Sequence, residues 1–245
     1  MHIARKILTI LLKTVASVVL IAIMAIFATS VSPVYTFDEP SPFTGSDIYN
    51  PYRNLDTALC WKRASFHTHT RVEGLFNECD YWPAEVHEAL ERFGYDIVTF
   101  SNHNALTEHP FDPSLQVNVY EHGYNLFKYH KLVFGCDRVK RFDHLLPVFA
   151  FQRQFQLDIL GKDSDFIQLN HPLRTEGTSK DMMEKLNGYQ IIELDSGRST
   201  ENEYWDWALS AGNYSFALAG DDLHYPDRSS RIGVSDTIKY NWFSG

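Results

Sequence analysis

Two histidines separated by one residue, His67 and His69, are the first sign of chemistry in the sequence. They close an apolar run that begins at Ala64 and reads as a β-strand, in which residues i and i+2 point to the same face. Both imidazoles can therefore reach one cation, and neutral imidazole is a good ligand for zinc, manganese or iron. Alone, the pair is equally consistent with exposed or hydrogen-bonded histidines.

The same spacing recurs near the end of the chain, where Asp222 and His224 follow the apolar run Phe216–Ala219. Asp221 could be the ligand instead, or could cap a turn or helix. The spacing and the preceding strand favour Asp222. The sequence therefore offers two separate pairs of metal-binding side chains, each at the end of a strand.

Four further candidate ligands lie beside strand-like runs. His103 and His171 follow such runs directly, Glu121 ends one, and His130 opens another. A carboxylate such as Glu121 can bridge two cations, which a single imidazole nitrogen cannot do. Because catalytic groups in α/β folds gather at the C-terminal ends of strands, this agreement in position argues against scattered core histidines.

The elements that must position these residues alternate between strands and helices. The helical patterns lie at 83–92, 141–160, 179–186 and 201–211, and the strand-like runs lie at 64–69, 96–101, 116–121, 131–135, 166–170, 190–194 and 214–219. This alternation predicts an α/β fold with mostly parallel strands, and seven strands suit a barrel better than an open sheet.

Six segments, in chain order from residue 64 to about 225, resemble the PHP family, the polymerase and histidinol phosphatase domain. They are Phe66-His-Thr-His-Thr70, Thr99-Phe-Ser-Asn-His-Asn104, Tyr120-Glu-His122, His130-Lys-Leu-Val-Phe-Gly135, Leu169-Asn-His-Pro172 and Gly220-Asp-Asp-Leu-His224. The resemblance implies a distorted (β/α)7 barrel, two or three divalent metal ions (Zn, Mn or Fe) and phosphoester hydrolysis. The ligands that it implies are His67, His69, His103, Glu121, His130, His171, Asp222 and His224.

The sequence departs from the family pattern at two places. The family has a carboxylate after the first motif, and here we expect Asp80, with Glu73 as the alternative and Glu78 also within reach. Asn102 stands where the family usually has aspartate before the histidine. Since asparagine carries no charge, we expect it to orient His103 less strongly.

Arginines after two strand ends could hold a phosphate group. Arg174 and Arg198 could each bind phosphate through two parallel hydrogen bonds, although solvent-facing arginines are equally consistent with their positions. We expect Glu121 and Arg174 to act in catalysis. His87, His109 and His144 are expected not to be ligands, because they fall in predicted helices or a loop.

Composition excludes several classes of protein. The formal net charge of −9 argues against a non-specific nucleic-acid binder. The three cysteines show no C-x-x-C spacing, so a zinc ribbon is not expected. Cys60 and Cys79 could form a disulfide if this part of the chain is exported.

The N-terminus predicts a membrane partner. Basic residues up to Lys13 precede a charge-free stretch, residues 14–37. We divide the chain into a signal anchor or signal peptide (1–31), a linker (32–58) and a PHP-like hydrolase domain (59–245). The anchor is favoured because the apolar stretch exceeds the roughly 7–15 residues of a signal-peptide core. Either form places the domain on the extracytoplasmic side.

Hydrolysis of a small phosphorylated substrate by a metal-activated water is the function that the sequence favours. A membrane-tethered metal-binding module without turnover is the alternative from another class. A third is hydrolysis of an amide or another non-phosphate bond, because the same cluster can polarise a carbonyl. No motif indicates the substrate's identity or the oligomeric state.

Overall fold

The structure is a computed structural model that describes residues 2–44, 46, 53–54, 61–73, 77–196, 202–220 and 222–226. Arg198, Asp221 and Cys60 lie outside these residues. The described helices are α1 (His2–Ser30), α2 (Pro83–Arg92), α3 (Ala150–Gly161), α4 (Lys180–Lys185), α5 (Asn202–Ser210) and a 3-10 helix (Pro113–Leu115). The strands are β1 (Ala64–Ser65), β2 (Ile97–Val98), β3 (Val119–His122), β4 (Lys131–Phe134), β5 (Phe166–Leu169), β6 (Ile191–Asp195) and β7 (Phe216–Ala219).

The strands of the described residues form two sheets. β1 and β2 pair in parallel, and the other strands form a five-stranded sheet in the order β3-β4-β5-β6-β7. The α/β class is therefore confirmed. The expectation of mostly parallel strands was wrong for β4, which runs antiparallel to both β3 and β5. A short loop joins β3 to β4, and a parallel arrangement would have needed a crossover helix.

Two isolated bridges link the sheets. Thr68 pairs with Leu223 and His103 pairs with Glu121, both in parallel. The first bridge includes a hydrogen bond from His69 N to Leu223 O of 2.8 Å, and beside the second the Asn104 N–H donates to Glu121 O at 2.8 Å. The ends of β1, β2, β3 and β7 are thereby held side by side.

The helices begin and end where local chemistry dictates. α2 has Pro83 in its first turn and is followed by Gly94 at φ +80°, a conformation that glycine adopts without strain. The helix expected at 141–160 was wrong in its first half, because α3 begins only at Ala150. Pro147 disfavours helical backbone before it, and Asp143 accepts a hydrogen bond from the backbone N–H of Tyr124.

Helices α3, α4 and α5 cover one face of the five-stranded sheet with a continuous apolar core. Its most deeply buried members include Tyr120, Val133, Leu157, Leu160, Ile167, Met183, Leu186, Ile192 and Ala208. A smaller core behind β1 and β2 packs Val86 and Leu90 of α2 against Val98 and Leu223. These two cores hold the strands rigidly, so the strand ends can position polar side chains.

Helix α1 is long and apolar enough to cross a membrane or to act as a signal sequence, and none of its most apolar stretch is buried. Its last residues touch the domain: Leu145 N donates to Thr29 Oγ1 at 3.4 Å and Gln152 Nε2 donates to Ser30 O at 3.2 Å. The chain then continues along the domain surface, where Tyr35 donates to Asp158 Oδ2 at 2.5 Å.

Arg153 on α3 ties together the loops beside the sheet. Its guanidinium is fully buried and donates to Pro147 O at 2.9 Å, Glu176 O at 2.5 Å and Thr178 Oγ1 at 2.8 Å. It also lies over the ring of Tyr129, 4.9 Å from the centroid. One side chain thus joins three segments that are distant in sequence.

Replacing Arg153 by methionine should lower the free energy of unfolding by about 3 kcal/mol, because hydrogen bonds to a charged donor are lost and a buried carbonyl loses its partner. Denaturant unfolding of the detergent-solubilised chain measures this. Arg138→Met, at a surface ion pair with Asp163, is the matched control and should change stability by less than about 0.5 kcal/mol. Equal effects of the two substitutions would contradict the role assigned to Arg153.

Candidate metal centre

Glu121 lies at the centre of the site. Its side chain is only 1% exposed, yet five histidines place a ring nitrogen within 3.4 Å of its carboxylate. Oε1 faces three of them and Oε2 faces the other two. The distances are 3.3 Å for His67, 3.2 Å for His130 and 3.4 Å for His171 at Oε1, and 3.2 Å for His69 and 3.1 Å for His103 at Oε2.

Strand directions explain how these residues meet. Glu121 stands near the C-terminal end of β3, and His171 follows the C-terminal end of β5. His130 precedes β4, but β4 is antiparallel to both of these strands, so its beginning lies at the same edge of the sheet. His130 therefore lies at the same edge of the sheet as the C-terminal ends of β3 and β5.

Asp222 completes a second group with the first motif. Its Oδ1 lies 3.4 Å from His67 Nε2 and 3.5 Å from His69 Nε2. The ligand atoms of these three residues all lie within 4.8 Å of one another, as do those of His67, Glu121 and His171. The pairing of Thr68 with Leu223 causes this proximity, because it sets the two i, i+2 pairs side by side.

Glu78 is the carboxylate that the structure places beside the histidines, which corrects the preference for Asp80. Glu78 Oε2 lies 3.0 Å from His103 Nε2 and 3.2 Å from His224 Nε2. Asp80 is exposed and belongs to none of the four candidate groups found among the described residues, and the same holds for Glu73.

The Glu78 group borders a small cavity. Glu78, His69 and His103 form one candidate group, and His103, Glu121 and His130 form another. The cavity has a volume of about 20 Å³ and is lined by His69, Thr70, Val72, Glu78, Asn102 and His103. Glu78 is half exposed, so this side of the cluster opens to solvent.

Sequence reasoning missed Glu193, which is fully buried on β6. Its Oε1 lies 2.7 Å from His67 Nδ1, and its Oε2 accepts the backbone N–H of His171 at 2.7 Å. A side chain at Gly220 would collide with this carboxylate, so glycine is required there. The signal was present as a lone acid inside the apolar run Ile191–Asp195.

Asn102 has a different role from the one expected. Its side chain is not hydrogen-bonded to His103 within the described structure; it accepts from Thr70 N and donates to Thr70 Oγ1 and Thr107 Oγ1, each at 2.7 Å. It thus fastens the first histidine motif to the loop after β2. Asn170, also missed, donates to Glu121 Oε1 at 2.8 Å.

The electrostatics are those of acids and histidines packed together. Burial alone would raise the pKa of Glu121, but His103, His67 and His130 hold that pKa well below its usual range. Burial would lower the pKa of His67, yet Glu193, Glu121 and Asp222 outweigh it and raise that pKa well above the usual value. The carboxylates therefore stay ionised inside the protein only because positive charge is supplied beside them.

The backbone is strained at the same place. Among the described non-glycine residues with positive φ are His171 at +29°, Asp222 at +42° and Asn104 at +47°. Such conformations cost on the order of 1–3 kcal/mol each and persist where the surroundings over-determine them. Two of these three residues are candidate ligands, so the strain points to a functional site.

The donor set fits divalent metal ions. Within the described residues, His69 Nε2 and His130 Nδ1 face the Glu121 carboxylate at 3.2 Å but make no well-aligned hydrogen bond. Imidazole nitrogens and carboxylate oxygens suit zinc, manganese or iron. The contact between Glu193 and His67 Nδ1 leaves Nε2 as the nitrogen directed at Glu121 and Asp222, an arrangement typical of metal-binding histidines.

The structure also places Arg174 and the three histidines that were not expected to be ligands. Arg174 forms an ion pair with Asp222 through Nη1 and therefore lies at the cluster. His87 and His109 contact each other, with 3.1 Å between their Nε2 atoms, and His144 contacts Thr29 O. None of these three histidines belongs to the four groups found in the described ranges.

Comparison with known proteins adds no family to this geometry. No protein-family model matches the chain, and no curated protein matches it.

Asn102→Ala should lower the free energy of unfolding by about 2 kcal/mol, because the buried N–H of Thr70 loses its acceptor. Asn102→Asp keeps a hydrogen-bond acceptor for Thr70 N, so its free energy of unfolding should fall by less than that of the alanine variant. Denaturant unfolding of the three proteins side by side measures both effects. Wild-type stability of the alanine variant would show that this anchor contributes nothing.

Proposed function

We propose that this protein is a metal-dependent hydrolase that cleaves phosphate esters at a site for two or three divalent cations. The observation that carries the proposal is the division of contacts at Glu121, whose two oxygens face different sets of histidines. A carboxylate placed in this way can bridge two cations. The order of the six sequence segments, which resembles the PHP family, supports the same reading.

We infer three positions for cations from the distances. The first would be held by His67, His69, Glu121 and Asp222, and the second by Glu121, His130 and His171. The third would be held by Glu78, His103 and His224, which meet at Glu78 Oε2. Since Glu78 is half exposed, the third position is the one most open to solvent.

We extend the proposal to the fold. The bridge Thr68–Leu223 joins the chain after β1 to the chain after β7, and the bridge His103–Glu121 joins the chain after β2 to β3. The two-stranded sheet is thus linked to both edge strands of the five-stranded sheet. We infer that the seven strands form a ring, the distorted (β/α)7 barrel of the PHP type. Each of the two links between the sheets is an isolated bridge, which accounts for the division into two sheets.

Bound cations would lower the pKa of a shared water and neutralise charge on the phosphoryl oxygens. The chain's own groups would then orient the substrate. Arg174 contacts Asp222 through Nη1, and a guanidinium has further N–H donors with which to hold a phosphoryl oxygen. Asn170 keeps Glu121 in place, and Glu193 fixes the ring of His67.

The site would work outside the cytoplasm. Basic residues precede the apolar part of α1, and the positive-inside rule keeps such residues in the cytoplasm. The chain after α1 would then lie on the other side of the membrane, whether α1 remains as an anchor or is removed as a signal.

Removing His67 and His69 together should lower hydrolysis of p-nitrophenyl phosphate and its diesters at least about 100-fold and reduce the bound metal. Steady-state rates of the full chain with added manganese or zinc, together with metal content, measure this. His109→Ala is the matched control, because this histidine lies away from the cluster. Unchanged rates in the double variant would refute the assignment, and full metal loading without turnover of any ester by the wild type would favour a binding module.

Glu193→Gln should weaken metal binding by about 10–100-fold, because His67 loses the negative charge on its far nitrogen while the size of the side chain is kept. Competition with a chromogenic chelator measures the affinity, and thermal unfolding without metal checks that the variant folds. Glu176→Gln, at an exposed acid, should bind as tightly as the wild type. If both variants bind equally well, Glu193 has no part in positioning the ligand.

A further inference from the structure

A group of large apolar side chains is exposed beside the metal centre. We call it the apolar rim, and each of its members is 45–63% exposed: Tyr124, Leu126, Val148, Phe149 and Leu173. Apolar side chains grouped on neighbouring loops are a common feature of surfaces that bind membranes or proteins. We therefore asked which partner could cover the rim.

The rim belongs to the edge of the sheet that carries the centre. Tyr124 and Leu126 lie in the loop between Glu121 and His130, and Leu173 follows His171. Tyr124 donates to His103 O at 3.2 Å, and its ring lies 5.6 Å from the ring of His103. A molecule that covers the rim therefore lies next to the cluster.

Hydrogen bonds join the rim loops into one surface. Leu126 N donates to Leu145 O at 3.0 Å, and Glu176 N donates to Phe127 O at 2.8 Å. Arg153 bonds to Pro147 and Glu176, which connects the loop before α3 with the loop after β5. The three loops are therefore connected to one another by hydrogen bonds.

The end of helix α1 rests on the same loops. Leu145 N donates to Thr29 Oγ1, His144 contacts Thr29 O, and Gln152 donates to Ser30 O. A membrane span needs about 17–25 predominantly apolar residues. The charge-free part of α1 runs from Thr14 to the end of the helix at Ser30, which just reaches that length. Thr29 and Ser30 then lie at the membrane boundary, and the rim loops that touch them lie at the lipid surface.

The charges around the rim fit such a surface. Lys128 lies in the loop of Leu126, and Arg141 lies in the segment that leads to Val148, both with exposed side chains. Aromatic and aliphatic side chains flanked by basic ones suit the region where acyl chains meet phosphate groups.

We propose that the apolar rim rests on the bilayer and that the substrate is a phosphate ester in the head group of a membrane lipid. This rests on the proposed function and names its substrate class. Water adds its oxygen to phosphorus, the bond from phosphorus to the ester oxygen breaks, and the departing alcohol oxygen takes a proton of that water. The lipid reaches the centre from the membrane plane, past Tyr124 and Leu173.

The first test measures the surface and not the reaction. The full chain is reconstituted in vesicles with brominated acyl chains, and Leu126→Trp is compared with Leu115→Trp. Leu115 has a similar exposure, 58% against 63%, but lies in the 3-10 helix before β3. We expect the brominated acyl chains to quench the emission of the tryptophan introduced at position 126 but not that of the tryptophan introduced at position 115. Equal quenching at the two positions would overturn the membrane contact.

The second test measures the substrate class. Leu126→Ser and Phe149→Ser should lower hydrolysis of a vesicle-borne lipid phosphate ester at least tenfold and leave hydrolysis of p-nitrophenyl phosphate unchanged, while Leu115→Ser affects neither. Equal loss on both substrates, or on neither, would overturn the assignment to a lipid. A wild type that binds no metal and cleaves neither ester would instead refute the proposed function, and the quenching result would still stand.

Discussion

A buried carboxylate surrounded by histidines is the interaction on which the rest of this structure depends. An isolated carboxylate cannot stay ionised in a protein interior, because the loss of hydration costs many kcal/mol unless positive charge lies close to it. Glu121 meets this condition through five imidazole rings and the amide of Asn170. In the apo-protein, protons on His67, His69 and His103 supply this charge, because the neighbouring carboxylates raise the pKa of each ring against the opposing effect of burial. Divalent cations would supply it more completely.

The topology follows from the need to bring these rings together. They come from four separate strand ends, and one of them, His130, reaches the centre only because β4 reverses direction. The bridge between Thr68 and Leu223 brings in the first and last motifs. Positive φ angles at His171 and Asp222 show that the backbone bears strain at the centre, which the two apolar cores offset.

Local sequence patterns predicted much of this arrangement. The contacts between distant segments were the part that the sequence predicted least well. Each of the seven strands was expected at its place, because short apolar runs are local signals. The position of Glu78 beside the cluster rests on its contacts with His103 and with His224, the latter 146 positions away. The contact between Glu193 and His67 joins residues 126 positions apart. The late start of α3 follows Pro147, which is a local signal, together with the contact between Asp143 and the backbone N–H of Tyr124. The contacts of Glu78, Glu193 and Asp143 join residues far apart in the sequence, and local patterns do not specify such contacts.

The central claim is that Glu121 bridges cations, and metal stoichiometry tests it most directly. The wild type and Glu121→Gln are equilibrated with manganese or zinc, freed of unbound metal, and analysed for metal per chain. The account predicts two or three ions per chain in the wild type and a loss of at least one in the variant, since glutamine keeps the shape but not the charge. A wild type that holds less than one ion per chain, or a variant that holds as many as the wild type, would contradict it.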